Sequence, residues 1–425
     1  MSYRTIKWLL LPSIFISCSL FAQPSAKSKS VTQYANEIES IVTHYVANKA
    51  FEGSVLVAKS GCIIFQENYG MADRLTSQSV TDNHTFQIAS LSKPLTATLI
   101  LKLVEQNKLT LNATLADYFP EFNNAFGKSV TLDHLLSHTS GIPNHFVIDG
   151  WFSADFHRKT SEQDFVKLIA QLSPVFEPGA DYLYSNPAYF LLGKIIEKTT
   201  GKSYSISMDE YLFTPIKMKH SGVAEGFQLP VNSVKGYQWQ EGGGYRQQAA
   251  KNMSLFGAGA AVFTSADDLY RFDLALYGDT LLTQESKIRM FKTQFPYSWR
   301  IGKVPINEGI KVNIHTYDGQ FDGYSAMLTR FIDDKHSIIL LSNTGMSYFL
   351  KEQLTFDIAS VLYDQSTPNR NNDASLVLIN GMVSGKFSET MHALYANKEP
   401  LEFNESSLSS LAFELLWANM ADNSL

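Results

Sequence analysis

Ser90 and Lys93 stand three residues apart in QIASLSKPLTATLI (87–100), the only S-x-x-K in the chain, and Pro94 follows at once. Proline lacks an amide hydrogen, so it is tolerated in the first turn of a helix and resisted deeper; the helix must therefore begin close to Ser90. Unpaired backbone N–H groups and the positive end of the helix dipole stabilise negative charge developing there. Lys93, about one turn along, shares a face with Ser90 and can lower the cost of deprotonating it. This suits an activated nucleophile, although the spacing alone also suits an ordinary surface helix.

A second group of chemical interest is Tyr184-Ser185-Asn186, in FEPGADYLYSNPAYFLLGKIIEKTTG. The same Y-x-N pattern recurs at Tyr34 and Tyr395, but inside helical patterns, whereas Tyr184 follows a Pro-Gly turn and precedes an apolar helix, where functional side chains are commonly presented. His134 and His138 have a helical zinc-binding spacing, yet no H-E-x-x-H or third ligand accompanies them, so they read as structural and no metal or cofactor is implied. Gly323-Tyr324-Ser325 fails as a G-x-S-x-G elbow because Met327 stands where the second glycine belongs. Gly257-Ala258-Gly259 lacks the dinucleotide pattern and marks a close backbone approach.

The elements that must position these groups follow from periodicity. VTQYANEIESIVTHYV predicts a first helix, and FEGSVLVAKSGCIIFQENYGMADR predicts two strands joined at Lys59-Ser60-Gly61. Residues 90–240 are rich in helices and loops, punctuated at Gly141-Ile142-Pro143 and Glu177-Pro178-Gly179. From about Lys311 strands return as VNIHTY, YSAMLTRFI and HSIILLSN, with a turn at Asp333-Asp334. Strands at both ends with helices between predict an α/β protein: one sheet completed by distant segments, plus an inserted helical region.

The 425 residues, 44% hydrophobic and 18% charged, describe a folded globule with a sizeable core. Arg4 and Lys7, an apolar stretch from Trp8 to Phe21 and small residues near Ala22 form a secretory signal pattern over residues 1–22, which predicts a periplasmic or secreted protein. Cys18 loosely resembles a lipobox cysteine, and a membrane partner is expected only if it is lipidated. Removing the signal moves the formal charge from −6 to −8, which argues against nucleic acid. The other cysteine, Cys62, reads as a buried apolar filler. Beyond Pro368-Asn369-Arg370-Asn371-Asn372 the helical spacing of ESSLSSLAFELLWANMADNSL predicts a short helical appendage, so 366–425 reads as linker and appendage.

Five elements occur in the order and rough spacing of the serine beta-lactamase-like family: Ser90-Leu91-Ser92-Lys93, LDHLLSHTSGI (132–142), PGADYLYSN (178–186), GAGAAVFTSADDLYRF (257–272) and GYSAMLTRF (323–331). The family contains class C beta-lactamases, DD-peptidases, D-aminopeptidases and esterases, and the resemblance covers residues 30–365. It implies an antiparallel sheet flanked by helices with an inserted, mostly helical region. The tail resembles the helical end of a tetratricopeptide-like extension. For the site, the resemblance implies a serine hydrolase in which Ser90 attacks a carbonyl and becomes acylated. Lys93 assists deprotonation and holds Tyr184 at a low pKa by its charge; Tyr184 carries the proton. Asn186 binds the substrate amide and orients Lys93, and the N–H groups of Ser90 and Gln320 form the oxyanion hole.

The chain departs from the family at its third element, usually K-T-G or H-x-G. One register is His315-Thr316-Tyr317; the interval back from Gly323 favours Tyr317-Asp318-Gly319. In that register the Lys or His that contacts a substrate carboxylate is missing and Asp318 adds negative charge. Weak or absent beta-lactamase activity is therefore expected, since a lost charge-assisted hydrogen bond costs about 1.5–3 kcal/mol. The expected substrate is a small amide, peptide or ester, the alternatives being a cell-wall DD-peptidase or D-aminopeptidase and a non-catalytic penicillin-recognising protein.

Overall fold

Ser30 opens the first helix reciprocally: its hydroxyl accepts from the Gln33 N–H, and the Gln33 side chain accepts from the Ser30 N–H at 2.7 Å. In the computed structural model, which describes residues 29–396 except 229, 241, 242, 293, 308 and 372, together with 409 and 412, this cap starts α1 (Val31–Ala47). The expected hairpin follows as β1 (Gly53–Lys59) and β2 (Cys62–Tyr69). They are joined through Ser60 (φ 51°) and Gly61 (φ 78°), two left-handed residues whose twist suits a two-residue connection. The helical region contains α2 (Ser92–Glu105) and α3 (Asn186–Thr200). Strands return as β3 (Arg300–Asn307), β4 (Ile310–Phe321), β5 (Tyr324–Phe331) and β6 (His336–Ser342), followed by α4 (Tyr348–Leu362) and α5 (Ala374–Val383).

These six strands form one antiparallel sheet in the order β3-β4-β5-β6-β1-β2. The closure by distant segments is direct: β1 pairs with β6 from Gly53↔Ser342 to Ala58↔Ser337. Successive side chains on a strand point to opposite faces, and the two cores divide accordingly. Leu56, Leu328, Ile339 and Leu341 face the helical region containing α2 and α3, whereas Val55, Val57, Met327, Ile338 and Leu340 face α1 and α4. Burial on both faces explains why β5 and β6 read as nearly continuous apolar runs.

β3 escaped the sequence reading because Gly302 and Pro305 dilute its pattern. Proline is tolerated there because β3 is an edge strand. Cys62 is only half-buried at the head of β2, so it is not the buried filler expected. In the tail, Leu376, Ile379 and Met382 of α5 join the core beside α1 and α4, and Arg370 pairs with Asp357 of α4 at 2.8 Å. The signal pattern, Cys18 and nearly all of the helical pattern beyond residue 404 lie outside the described residues. Among the described residues no helix is long and apolar enough to cross a membrane.

Candidate active site

Ser90 sits in a short 3₁₀ turn (Ala89–Leu91) that runs directly into α2 at Ser92, with Pro94 in the first helical turn as its missing amide hydrogen requires. Ala89 is left-handed (φ 47°), a conformation costing a non-glycine residue about 1–2 kcal/mol. Ile88 and Leu91, both fully buried, clamp the turn from either side. Lys93 is buried within α2, and its Nζ lies 3.1 Å from Ser90 Oγ, 2.7 Å from Asn186 Oδ1 and 2.8 Å from the Gly259 carbonyl oxygen. That last contact is the close backbone approach expected of Gly257-Ala258-Gly259.

Tyr184 and Asn186 flank the start of α3. Ser185 caps that helix by accepting from the Ala188 N–H at 3.2 Å, and Pro187 occupies its first turn, so a local cap fixes the neighbouring side chains. Tyr184 OH reaches Ser90 Oγ at 2.6 Å, and the Tyr184 ring centroid lies 4.8 Å from Lys93 Nζ. Asn186 Nδ2 donates to Asn144 Oδ1 at 3.3 Å, which directs its carbonyl oxygen to Lys93.

On the opposite wall, β4 runs past the nucleophile turn. A Cβ on Gly319 would stand 1.9 Å from the Ile88 carbonyl oxygen and 2.9 Å from the backbone nitrogens of Ser90 and Leu91, so only glycine admits this approach. Tyr317 is buried and faces Tyr184, while Gln320 is exposed and shares a cleft of about 330 Å³ with Ser90 and Asn186. His315 stacks on Phe291 at 4.3 Å, about 13 Å along the strand from Gly319, so the register that meets Ser90 is Tyr317-Asp318-Gly319. Three larger hollows among the described residues, about 510, 610 and 700 Å³, include none of Ser90, Lys93 and Tyr184 in their linings.

The model of the Beta-lactamase family matches residues 38–362. The chain belongs to this family. It is similar to Penicillin-binding protein 4* of Bacillus subtilis, at 30% identity over 79% of this chain and 78% of that protein. It is also similar to Esterase EstB of Burkholderia gladioli, at 27% identity over 49% of this chain and 57% of the esterase. Among solved structures, the D-amino acid amidase from Ochrobactrum anthropi has the same fold, with a TM-score of 0.67, 21% identity and coverage of 78% of this chain and 99% of the amidase.

Two expectations for this beta-lactamase-family site are corrected. Tyr184 is not held low by Lys93: complete burial raises its pKa above the ordinary tyrosine value, outweighing the hydrogen bond with Ser90, and Asp318 pushes the same way. Burial also brings Lys93 well below the ordinary lysine value, with Asp318 opposing, so burial pushes both side chains toward their uncharged forms. Nor does Asp318 leave a bare negative charge. Burial pushes its carboxyl up, but Lys351 at 3.1 Å and Arg300 at 2.6 Å outweigh burial and hold it below the usual carboxylate value.

Sequence reasoning missed the group that steadies Tyr184. His138, left-handed at φ 59°, lies under the Tyr184 ring at 4.7 Å between centroids. Its Nδ1 accepts from the Ser185 N–H at 3.2 Å, so Nε2 carries the hydrogen and donates to Ser298 Oγ, also at 3.2 Å. Ser298 donates to Tyr189 OH, which donates to the Leu136 carbonyl oxygen. Burial, aided by Lys93, holds His138 well below the ordinary histidine value and so disfavours the charged ring, while the Ser185 N–H selects the tautomer. The S-H-T-S-G motif carried the signal; the tertiary partners gave it meaning. His134 instead accepts from the Thr131 N–H at the start of its own short helix.

Proposed function

We propose that the protein is a serine hydrolase that forms an acyl-enzyme on Ser90 and hydrolyses a small amide, peptide or ester. The observation that carries this reading is the position of Ser90 Oγ, 2.6 Å from Tyr184 OH and 3.1 Å from Lys93 Nζ at a helix start. A neutral Lys93 donates its two hydrogens to Asn186 Oδ1 and Gly259 O, which turns its lone pair toward the Ser90 hydroxyl. Ser90 Oγ attacks the carbonyl carbon as its proton passes to Lys93. The oxyanion is met by the N–H groups of Ser90 and Gln320, a role supported by the close contact of Gly319 with the nucleophile turn. As the tetrahedral intermediate collapses, Tyr184 gives its proton to the leaving group, and the new tyrosinate is stabilised by the lysinium beside it. Water then returns a proton to Tyr184 and adds to the acyl carbon; Ser90 recovers its proton from Lys93 as the acid leaves. Lys93 thus lowers the pKa of Tyr184 only while the acyl-enzyme exists.

Tyr317 stands where the family usually carries a cation, and the one lysine or arginine lining the cleft among the described residues, Lys251, is paired with Asp322. These features support weak or absent beta-lactamase activity even though Asp318 is neutralised. Nitrocefin turnover above ~10⁶ M⁻¹s⁻¹ in kcat/KM would overturn that part. The decisive experiment for the hydrolase reading is a fluorophosphonate probe followed by intact mass. We expect one adduct on the wild type and none on Ser90→Ala; no wild-type adduct, or one that survives the substitution, sinks the nucleophile.

A further inference from the structure

The wall of the cleft beyond Ser90 is aromatic. Phe256 meets Phe321 edge to face at 4.9 Å and Trp151 at 5.5 Å, and Trp239 also lines the cleft. At the mouth, Phe146 and Phe152 stack at 5.7 Å and 16° while remaining 49% and 52% exposed, an apolar area that a folded chain leaves to water only at some cost. The polar groups among them carry little charge. His145, stacked on Trp151 at 3.9 Å, is held near pKa 3 by burial, with Lys93, His157 and Lys251 adding to the effect. His157, parallel to Phe256 at 8°, is pushed below the ordinary histidine value by its burial first and by Lys251 next. Lys251 is neutralised by Asp322. Tyr184 does not line this trough, whereas Ser90, Asn186 and Gln320 do. The leaving group takes its proton from Tyr184, so the trough extends on the acyl side of the scissile bond.

Resting on the hydrolase reading, the geometry points to an uncharged, extended apolar or aromatic acyl group as the substrate portion bound in this trough, its outer end lying against Phe146 and Phe152. The volume of about 330 Å³ holds on the order of ten water-sized groups at ~30 Å³ each, room for an eight-carbon chain. A terminal carboxylate on that chain would be desolvated against aromatic faces without a free cation among the described residues of the wall.

The test is a series of p-nitrophenyl esters (acetate, butyrate, octanoate) at concentrations below micelle formation, run on the wild type and on Phe146→Ala/Phe152→Ala. Burying methylenes is worth up to roughly fourfold each in kcat/KM, so a rise of at least about tenfold from acetate to octanoate is expected. The octanoate-to-acetate ratio should fall severalfold in the double variant. This ratio does not depend on the fraction of protein folded. A flat or falling series on a protein whose Ser90 takes the fluorophosphonate overturns the acyl-trough inference and leaves the hydrolase standing, as does a ratio unchanged in the double variant. Absence of labelling at Ser90 overturns both.

Discussion

Replacing Gly319 by alanine tests whether the strand and the nucleophile turn act as one unit. The new Cβ would stand 1.9 Å from the Ile88 carbonyl oxygen, 1.1 Å short of the 3.0 Å that real Cβ contacts respect, and 2.9 Å from two backbone nitrogens. None of these atoms is the end of a flexible side chain. The turn is clamped by the fully buried Ile88 and Leu91, and β4 is bonded on both edges to β3 and β5. One of the two must therefore shift by about an ångström. Overpacking of this kind costs about 1–3 kcal/mol of stability. A displacement of that size beside the reacting atoms costs about 10² in rate, and loss of an oxyanion donor about 10²–10³. We expect kcat for p-nitrophenyl butyrate to fall by about 10²–10³ with a smaller change in KM, because the oxyanion contact strengthens in the transition state. Fluorophosphonate labelling should slow in parallel and the thermal midpoint should drop. A variant with kcat within about threefold of wild type and an unchanged midpoint would refute the claim that Gly319 is required by the contact with Ser90.

Tyr184→Phe should fold normally and lose about 10²–10⁴ in turnover, the range of one general acid–base group; unchanged ester hydrolysis would show that the proton travels by another route. Because burial depresses Lys93, the labelling rate of Ser90 should rise with pH as the amine loses its proton and level off well below pH 10.5; a rate still climbing through pH 10 would mean an unperturbed lysine. Asp318→Asn takes the carboxylate away from the buried Lys351 and should cost about 3 kcal/mol, the lower end for a broken buried pair since Arg300 is 44% exposed and Lys351 keeps its bond to the Gly319 carbonyl oxygen. The Asp318 carboxyl is held below its ordinary value, so its contribution is present above about pH 4 and lost as pH falls through the folded value. The stability gap between wild type and Asp318→Asn should narrow on acidification, and a gap constant from pH 7 to pH 3 would contradict the pairing.

Much of the fold was legible because its causes are local. The helical spacing of α1, the turn at Lys59-Ser60-Gly61 and the apolar runs of β5 and β6 each follow from neighbours within a few residues. β3 was not legible, since a glycine and a proline at an edge strand leave no periodic signal of their own. In the site, the sequence registered Ser90, Lys93 and the Tyr184-Asn186 pair, each attached to a helix start that proline marks.

The residue types and their spacing determined by themselves that a hydroxyl and an amine share one helical turn and that a phenol and an amide flank another; the resemblance to the family favoured, without deciding, the register that brings Gly319 rather than Tyr317 to them. Only the tertiary structure decided the charge on these groups. Depressed Lys93 and raised Tyr184 reflect complete burial, which depends on packing from segments about a hundred residues apart. Asp318 is neutralised by Arg300 from the unread β3 and by Lys351 from α4, partners that pattern along the chain could not connect to it. The apolar trough is assembled likewise, from loops and strands between Phe146 and Phe321 that meet only when the sheet closes.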